Sequence, residues 1–390
     1  MATVRPAEGD TFAKILEWNA ANRGKRPAIR EKHLGIWQTW SWSMVREEVR
    51  TIAHGLADLG LKRGDKIAII GDNRPRLYWS IVAAQSLGAI PVPMYQDAAA
   101  NELQFVVDHA EVRFAVAEDQ EQIDKLMEAM EACDSLEQLI YSDPRGMRNY
   151  KEDFIHSFDS LEERGRAHQQ ANPSFYDDEM AKTGSDDTAI FLYTSGTTGN
   201  PKGVVLTYEN LVSMGKMSVE LEQLKEDEDT LAYLPLAWVG DNIFSIAQSY
   251  VAGFCVNCPE SQTTVLQDLR EIGPTYFFAP PRIFENLLTT VHVRMEDSGR
   301  LKRTLFERSM KLARRVGVAK LNGQPVSVID RIRYGLGHLF AFGPLKNTLG
   351  FSRIRRVYTA GEAIGPEIFD FYRALGLNMK QLYGQTESTV

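Results

Sequence analysis

Eleven consecutive residues, Tyr193-Thr194-Ser195-Gly196-Thr197-Thr198-Gly199-Asn200-Pro201-Lys202-Gly203, gather hydroxyls, glycines and one ammonium into a single short stretch. Backbone N–H groups can approach a polyphosphate closely where glycine removes the side chain, and the hydroxyls of Thr194, Ser195, Thr197 and Thr198 add donors. Lys202 supplies the cation. The pattern differs from the common GxxxxGK[ST] loop, in which lysine follows the second glycine directly and Ser or Thr comes next. Here Asn200-Pro201 separate Gly199 from Lys202, and Gly203 follows. The flanking runs Thr188–Tyr193 and Gly203–Thr207 are rich in β-branched and aliphatic residues and predict strands. A strand leading out of the loop also removes the helix N-terminus on which the common phosphate loop relies. A plain Gly/Thr-rich hairpin loop is the alternative reading.

Three further motifs follow in order: Leu234-Pro235-Leu236-Ala237-Trp238, Thr359-Ala360-Gly361-Glu362-Ala363 and Tyr383-Gly384-Gln385-Thr386-Glu387. With Tyr193–Gly203 they resemble the signatures of the adenylate-forming (AMP-binding) superfamily, and the resemblance covers nearly the whole chain. Within that superfamily the chain is similar to the N-terminal part of a bacterial-type long-chain fatty acyl-CoA synthetase. The resemblance implies ATP, Mg²⁺ and coenzyme A as cofactor and co-substrates, and a fatty acid as the group activated. It implies that Lys202, with Thr194, Ser195, Gly196, Thr197, Thr198 and Gly199, holds the β- and γ-phosphates. Glu387 resembles the metal carboxylate, with Thr194 as a second ligand, and Thr386 the residue that touches the α-phosphate. Tyr383 resembles the ring stacked on adenine, Gly361, Glu362 and Ala363 the backbone on its other side, and Gly384 and Gln385 complete that motif. Lys202, Thr386 and Glu387 are thus the catalytic candidates.

Trp238 departs from the family pattern, since many relatives carry histidine there, between acyl site and nucleotide. An indole keeps a flat apolar surface and one N–H donor but cannot become a cation. A wall or gate role and a core packing role both remain open, with Asp241 and Asn242 as polar candidates nearby. Pro280-Pro281-Arg282 resembles a segment beside the acyl tunnel of long-chain enzymes, which makes Phe278 and Arg282 substrate candidates. Phe277, Phe278 and Tyr358 suit an apolar cavity, and buried strands would read the same way.

At 390 residues, with 44% hydrophobic and 25% charged side chains, the chain has the composition of a globular enzyme. Met1–Asp10 is polar with no apolar run behind it, so no leader is expected. Three cysteines predict a reducing, cytoplasmic setting. Cys255 and Cys258 form a lone CxxC without a second ligand pair, and the seven histidines show no metal spacing. The net charge of −8 conceals an imbalance: residues 299–356 hold 14 Lys and Arg against two acids, while the remainder holds 30 against 50. Such a block predicts an anionic surface as partner, and nucleic acid is not expected.

Apolar spacing predicts helices and strands in alternation. Strands at Lys66–Ile70, Ala89–Pro93, Val112–Ala117 and Leu139–Tyr141 are separated by helices ending at Leu87, His109 and Ala132. Ser43 is expected to cap the helix before the first of these, and Ser142–Asp187 reads as a polar surface linker containing one helix. The rhythm returns with helix Glu209–Leu221, strand Thr230–Leu234, helix Asn242–Val251 and strand Phe254–Asn257. Trp79-Ser80-Ile81…Gly88 and Phe244-Ser245-Ile246…Gly253 share an offset of 165 residues, a thin hint of duplication. The expected fold is α/β: two stacked βαβ-type subdomains with largely parallel sheets covered by helices. Their expected limits are 1–187 and 188–390, the second carrying the phosphate loop, the adenine motifs and a basic helical insertion at 299–356. The resemblance implies a ribose aspartate, a hinge and a small lid domain beyond Glu387, so the chain is expected to lack them.

Within the basic block, Val328, Ile329, Ile332, Leu336, Leu339 and Phe340 recur at helical spacing beside Arg331, Arg333 and His338. This stripe suits either a core-facing helix or one lying peripherally on an anionic membrane, and the sequence leaves both open. The activity expected is ATP-dependent ligation of a long-chain fatty acid to coenzyme A through an acyl-adenylate. Alternatives are a fatty acyl-AMP ligase serving a carrier protein, and a silent nucleotide- or lipid-binding fragment. The oligomeric state is not legible.

Overall fold

Ile67, Ala68, Ile69 and Ile70 are wholly buried in the computed structural model, which describes residues 7–194 and 201–389. They form the strand Lys66–Ile70, the second in a five-stranded parallel sheet. Ile90–Met94 pairs on one side of it, and Val112–Ala117, Gln138–Tyr141 and Ile155–Ser157 follow on the other. Parallel strands need a crossover on each return, and helices Pro75–Ser86, Ala100–Ala110 and Gln120–Met130 supply them. A second sheet contains the hairpin Pro27–His33/Ile36–Ser41, turned at Leu34 and Gly35 with positive φ, and Cys255–Cys258 pairs parallel to its first strand. Both cysteines of the CxxC are buried there.

The predicted cap of the next helix is shifted. Ser41, not Ser43, accepts the Met44 amide, because Trp42 enters the first turn to bury its indole. The larger correction concerns 142–187. This is no surface linker: it holds strand Ile155–Ser157 and helices Phe158–Ala171 and Phe175–Ala181, with Phe158, Leu161 and Tyr176 buried. Helix Phe158–Ala171 packs closely on helix Trp42–Asp58. A β-carbon on Gly165 would meet the Thr51 carbonyl oxygen at 2.0 Å, and one on Gly55 the Leu161 carbonyl oxygen at 2.3 Å. Two glycines bring the backbones together, so a segment poor in large apolar residues still packs.

Contacts divide the chain into Met1–Asp227 with Ala232–Gln262 and Gln385–Val390, and Glu228–Leu231 with Thr263–Gly384. The division therefore does not run at 187/188 as expected. The hairpin Thr188–Thr194/Lys202–Thr207 packs beside strand Ile90–Met94, and Cys255–Cys258 is bonded to the N-terminal hairpin. The two segments that share the 165-residue offset lie in this one unit, each ending at a glycine with positive φ, Gly88 and Gly253. The expected helix 242–251 also differs in detail, because residues Asn242–Ala247 form π-helical turns before α-helix Gln248–Ala252.

The second unit is built on three parallel strands in the order Tyr276–Phe278, Arg356–Thr359, Met379–Gln381. Phe277 of the first strand packs with Phe284, Phe351 and Tyr372, with centroid separations of 5.0–6.1 Å. The Glu228 carboxylate is buried and receives Arg355 at 3.3 Å and Arg356 at 2.9 Å. Helices Pro281–Glu296, Arg300–Leu321 and Val328–Gly337 follow the first strand.

Gly165→Ala is expected to destabilise the chain by about 1–3 kcal/mol, the usual cost of overpacking. Gly184→Ala, where a β-carbon meets nothing within 4 Å, is the control. Urea unfolding followed by circular dichroism reads both, and equal midpoints would show that the two helices do not depend on this close approach.

Candidate functional site

Thr194 and Lys202 are partners across the hairpin and bracket the phosphate-loop candidate. Ser195, Gly196, Thr197, Thr198 and Gly199 lie outside the described residues. One pair further in, Tyr193 faces Gly203, where a β-carbon would come 3.3 Å from the Tyr193 ring. Tyr193 is buried and its hydroxyl hydrogen-bonds the His109 ring at 2.7 Å, so the base of the loop is clamped to helix Ala100–Ala110. Lys202 itself is exposed. A turn of 3₁₀ helix, Thr386–Ser388, packs on strand Lys202–Thr207, which brings Thr386 and Glu387 to the strand that begins at Lys202. Glu387 is exposed and Thr386 half-buried.

The adenine candidates gather at the carboxyl ends of the second unit's parallel strands. Phe278, Thr359 and Gln381 close neighbouring strands, so Arg282, Gly361-Glu362-Ala363 and Tyr383-Gly384 all follow from one sheet edge. Ligands of open α/β sheets bind at this edge. Gln381 donates through its side-chain amide to the Glu362 carbonyl at 3.3 Å, tying two of the loops together. Gly361 has φ +99° with nothing beside it, and the Tyr383 ring is 98% exposed. A flat apolar ring held in water with no intramolecular cover is available to stack. Phe278 is buried next to Tyr358 in the sheet, and Arg282 is exposed in the first turn of helix Pro281–Glu296. The Tyr383–Glu387 motif straddles the division of the chain, with Gln385, Thr386 and Glu387 in the first unit.

Trp238 is half-buried, and its indole hydrogen-bonds the Tyr95 hydroxyl. Asp241 and Asn242, anticipated as polar groups of the site, are instead buried at 1% and 2% exposure. Asn242 donates to the carbonyls of Leu236 and Trp238, both at 2.9 Å. Asp241 accepts from Tyr78 at 2.8 Å, Ser245 at 2.9 Å and Asn73 at 3.3 Å, and Asn73 also donates to the Leu234 carbonyl. Burial pushes the Asp241 carboxyl up to about 7, against the opposing donors Tyr78 and Ser245. The whole 234–245 segment is thereby pinned to Asn73 and Tyr78.

A cavity of about 650 Å³, unanticipated, lies at the ends of strands Lys66–Ile70 and Val112–Ala117 and is lined by Trp40, Arg74, Trp79, Glu118 and Arg145 among others. Its central cation is already matched: Arg74 bonds Glu118 at 2.8 Å and Glu31 at 3.6 Å.

Residues 16–390 match the family model described as AMP-binding enzyme. The chain belongs to that family. It is 25% identical to the long-chain-fatty-acid–CoA ligase ACSBG2 of Rattus norvegicus over 388 residues, 97% of this chain and 56% of the relative. It is 26% identical to the long-chain-fatty-acid–CoA ligase FadD15 of Mycobacterium bovis over 359 residues, 91% of this chain and 57% of the relative. The N-terminal domain of FACL13 from Mycobacterium tuberculosis superposes with a TM-score of 0.68 at 19% identity, covering 97% of this chain and 77% of that one. The α/β architecture with helix-covered, mostly parallel sheets is thus that of adenylate-forming N-terminal domains. The chain spans about half the length of the curated relatives it matches.

Segment 234–238 rests on a buried carboxyl whose pKa burial raises. Its folded pKa, about 7, lies above the ordinary 3.8, so the unfolded chain loses its proton first as pH rises. Stability from this group is complete below about pH 4, falls between 4 and 7, and levels above 7. Asp241→Asn keeps an acceptor for Tyr78 and Ser245 and cannot ionise. Its stability relative to the parent is expected to rise from pH 4 to 7 by up to ~1.4 kcal/mol per pH unit. Urea midpoints at several pH values check this, and parallel profiles would show that Asp241 is ionised throughout.

Proposed function

We propose that this chain carries out the adenylate-forming half of a long-chain fatty acid–CoA ligase reaction. The observation that carries the reading is the convergence of exposed loops at one sheet edge, Gly361–Ala363 beside Tyr383, together with Thr386–Glu387 on the strand of Lys202. The likeness to the rat and mycobacterial ligases supports the substrate class.

A fatty acid carboxylate is a weak nucleophile. Its oxygen forms a bond to the α-phosphorus of ATP while the bond to the bridging oxygen breaks and pyrophosphate leaves. Negative charge grows on the departing and equatorial oxygens, and fixed donors and cations there lower the barrier. In this reading Lys202 and the hydroxyls of 194–198 take the β- and γ-phosphates, Thr386 the α-phosphate, and Tyr383 stacks on adenine against Gly361-Glu362-Ala363. Among the described residues no three His, Cys, Asp or Glu side chains converge as a metal cage. Glu387 is a lone exposed carboxylate, which suits Mg²⁺ because that ion keeps waters and substrate phosphates as most of its ligands. When bound, Mg²⁺ would neutralise phosphate charge. In the second half-reaction the coenzyme A thiol attacks the acyl carbonyl and AMP leaves. Trp238, held by Tyr95 and by the clamped 234–242 segment, then forms a wall of the acyl site.

Lys202→Ala and Glu387→Ala are each expected to weaken MgATP binding by about 1.5–3 kcal/mol, the range for one charge-assisted contact. Isothermal titration measures it, and unchanged affinity in both variants would remove the nucleotide assignment. Trp238→Ala is expected to shift which fatty acids, from short to long, support pyrophosphate exchange while leaving MgATP affinity within about twofold. An identical length profile would leave Trp238 as packing alone.

A further inference from the structure

Helix Val328–Gly337 and the π-helical turns His338–Phe342 continue one another in the second unit. Their inner face is anchored. Phe342 is wholly buried against Tyr334, centroids 5.5 Å apart, and a β-carbon on Gly337 would strike the Phe342 ring at 2.9 Å. The Tyr334 hydroxyl donates to the Ala374 carbonyl at 3.2 Å, and Lys320 lies over its ring. Asp330 pairs with Arg315 of helix Arg300–Leu321 at 2.9 Å.

The outer face is where the apolar stripe lies. Val328, Ile329, Ile332, Leu336, Leu339 and Phe340 are between 53% and 71% exposed. The core-facing reading of this stripe is therefore excluded within the described residues. Six large apolar side chains in water at helical spacing form a contiguous patch of the kind that marks an interaction surface. Its surroundings choose the partner. Arg331 and Arg333, both exposed, fall on either side of the stripe, and the block 299–356 holds 14 basic residues against two acids. The preceding helix adds exposed Leu301 at 86%, with Lys302 and Arg303 beside it.

We infer that the outer face of residues 328–340 docks on an anionic lipid bilayer, the six apolar side chains entering the headgroup boundary and the flanking arginines meeting lipid phosphates. A helix with an apolar face and cationic borders lies in the interface plane rather than across it. Among the described residues no helix is long and apolar enough to cross a membrane, which agrees with surface docking. The inference stands apart from the adenylation reading and can fail while MgATP binding persists.

Co-sedimentation with vesicles of phosphatidylcholine alone, and with phosphatidylglycerol added, tests it on the 390-residue chain. Pelleting with anionic but not neutral vesicles, weakened by salt, is the expected result. Arg331→Glu with Arg333→Glu is expected to lower partitioning roughly tenfold or more, since each basic residue near such a surface contributes up to ~1 kcal/mol. Ile332→Ser with Leu336→Ser is expected to abolish pelleting while keeping the charge, and Leu221→Ser, at a site 79% exposed in the other unit, should change nothing. All the substituted side chains are exposed, and circular dichroism confirms that each variant folds. Protein left in the supernatant with anionic vesicles at low salt overturns the inference. So does a stripe that closes on a second copy, seen as a dimer that Ile332→Ser with Leu336→Ser dissociates without any vesicle binding. Pelleting that survives the apolar double variant overturns it equally.

Discussion

Parallel strands buried on both faces leave no room for polar side chains along their length. Residues 67–70, 114–117 and 276–278 are buried without interruption. Polar groups within reach of a ligand are therefore displaced to the segment past a strand's carboxyl end, where the chain turns toward a helix. Gly361–Ala363 and Tyr383 occupy such segments on adjacent strands, and register brings them side by side although they are about twenty residues apart in sequence. The antiparallel hairpin that holds Thr194 and Lys202 is the exception. Its strands pair as far as Thr194 and Lys202, and the Tyr193–His109 bond steadies that end.

A second constraint is electrostatic. Asp241 is removed from water and surrounded by three donors, and the same carboxyl is shared between helix Pro75–Ser86, Asn73 in the turn that precedes it, and the π-helical turns. A π-turn widens the helix by one residue and is seldom retained without a local reason. Here its first residue, Asn242, turns its side-chain amide back onto the carbonyls of Leu236 and Trp238. The segment carrying Trp238 is thus held from both ends by buried polar bonds rather than by apolar packing alone.

The basic insertion shows charge and packing acting separately. One face of helix Val328–Gly337 is fastened by Tyr334, Gly337 and the Arg315–Asp330 pair, and the other is left apolar and wet. Stability of the second unit needs only the first face, so the second is free to meet a partner.

Local chemistry was legible in the chain itself. The sequence motifs at 193–203 and 383–387, the buried strands and most helix limits follow from residue type and period, which depend on neighbours a few positions away. The family followed from those motifs taken together. What the tertiary structure alone decided involves residues far apart. Segment 142–187 joined the first unit because Gly55 and Gly165, 110 positions apart, let two backbones touch, and no local pattern announces that approach. Asp241 became a buried anchor because Asn73 and Tyr78 reach it across more than 160 residues. The stripe at 328–340 had two equal readings in sequence, since amphipathic spacing states only that a helix has an apolar face. Which face turns inward was settled by Tyr334 and Phe342 packing beneath it, leaving the six apolar side chains in water.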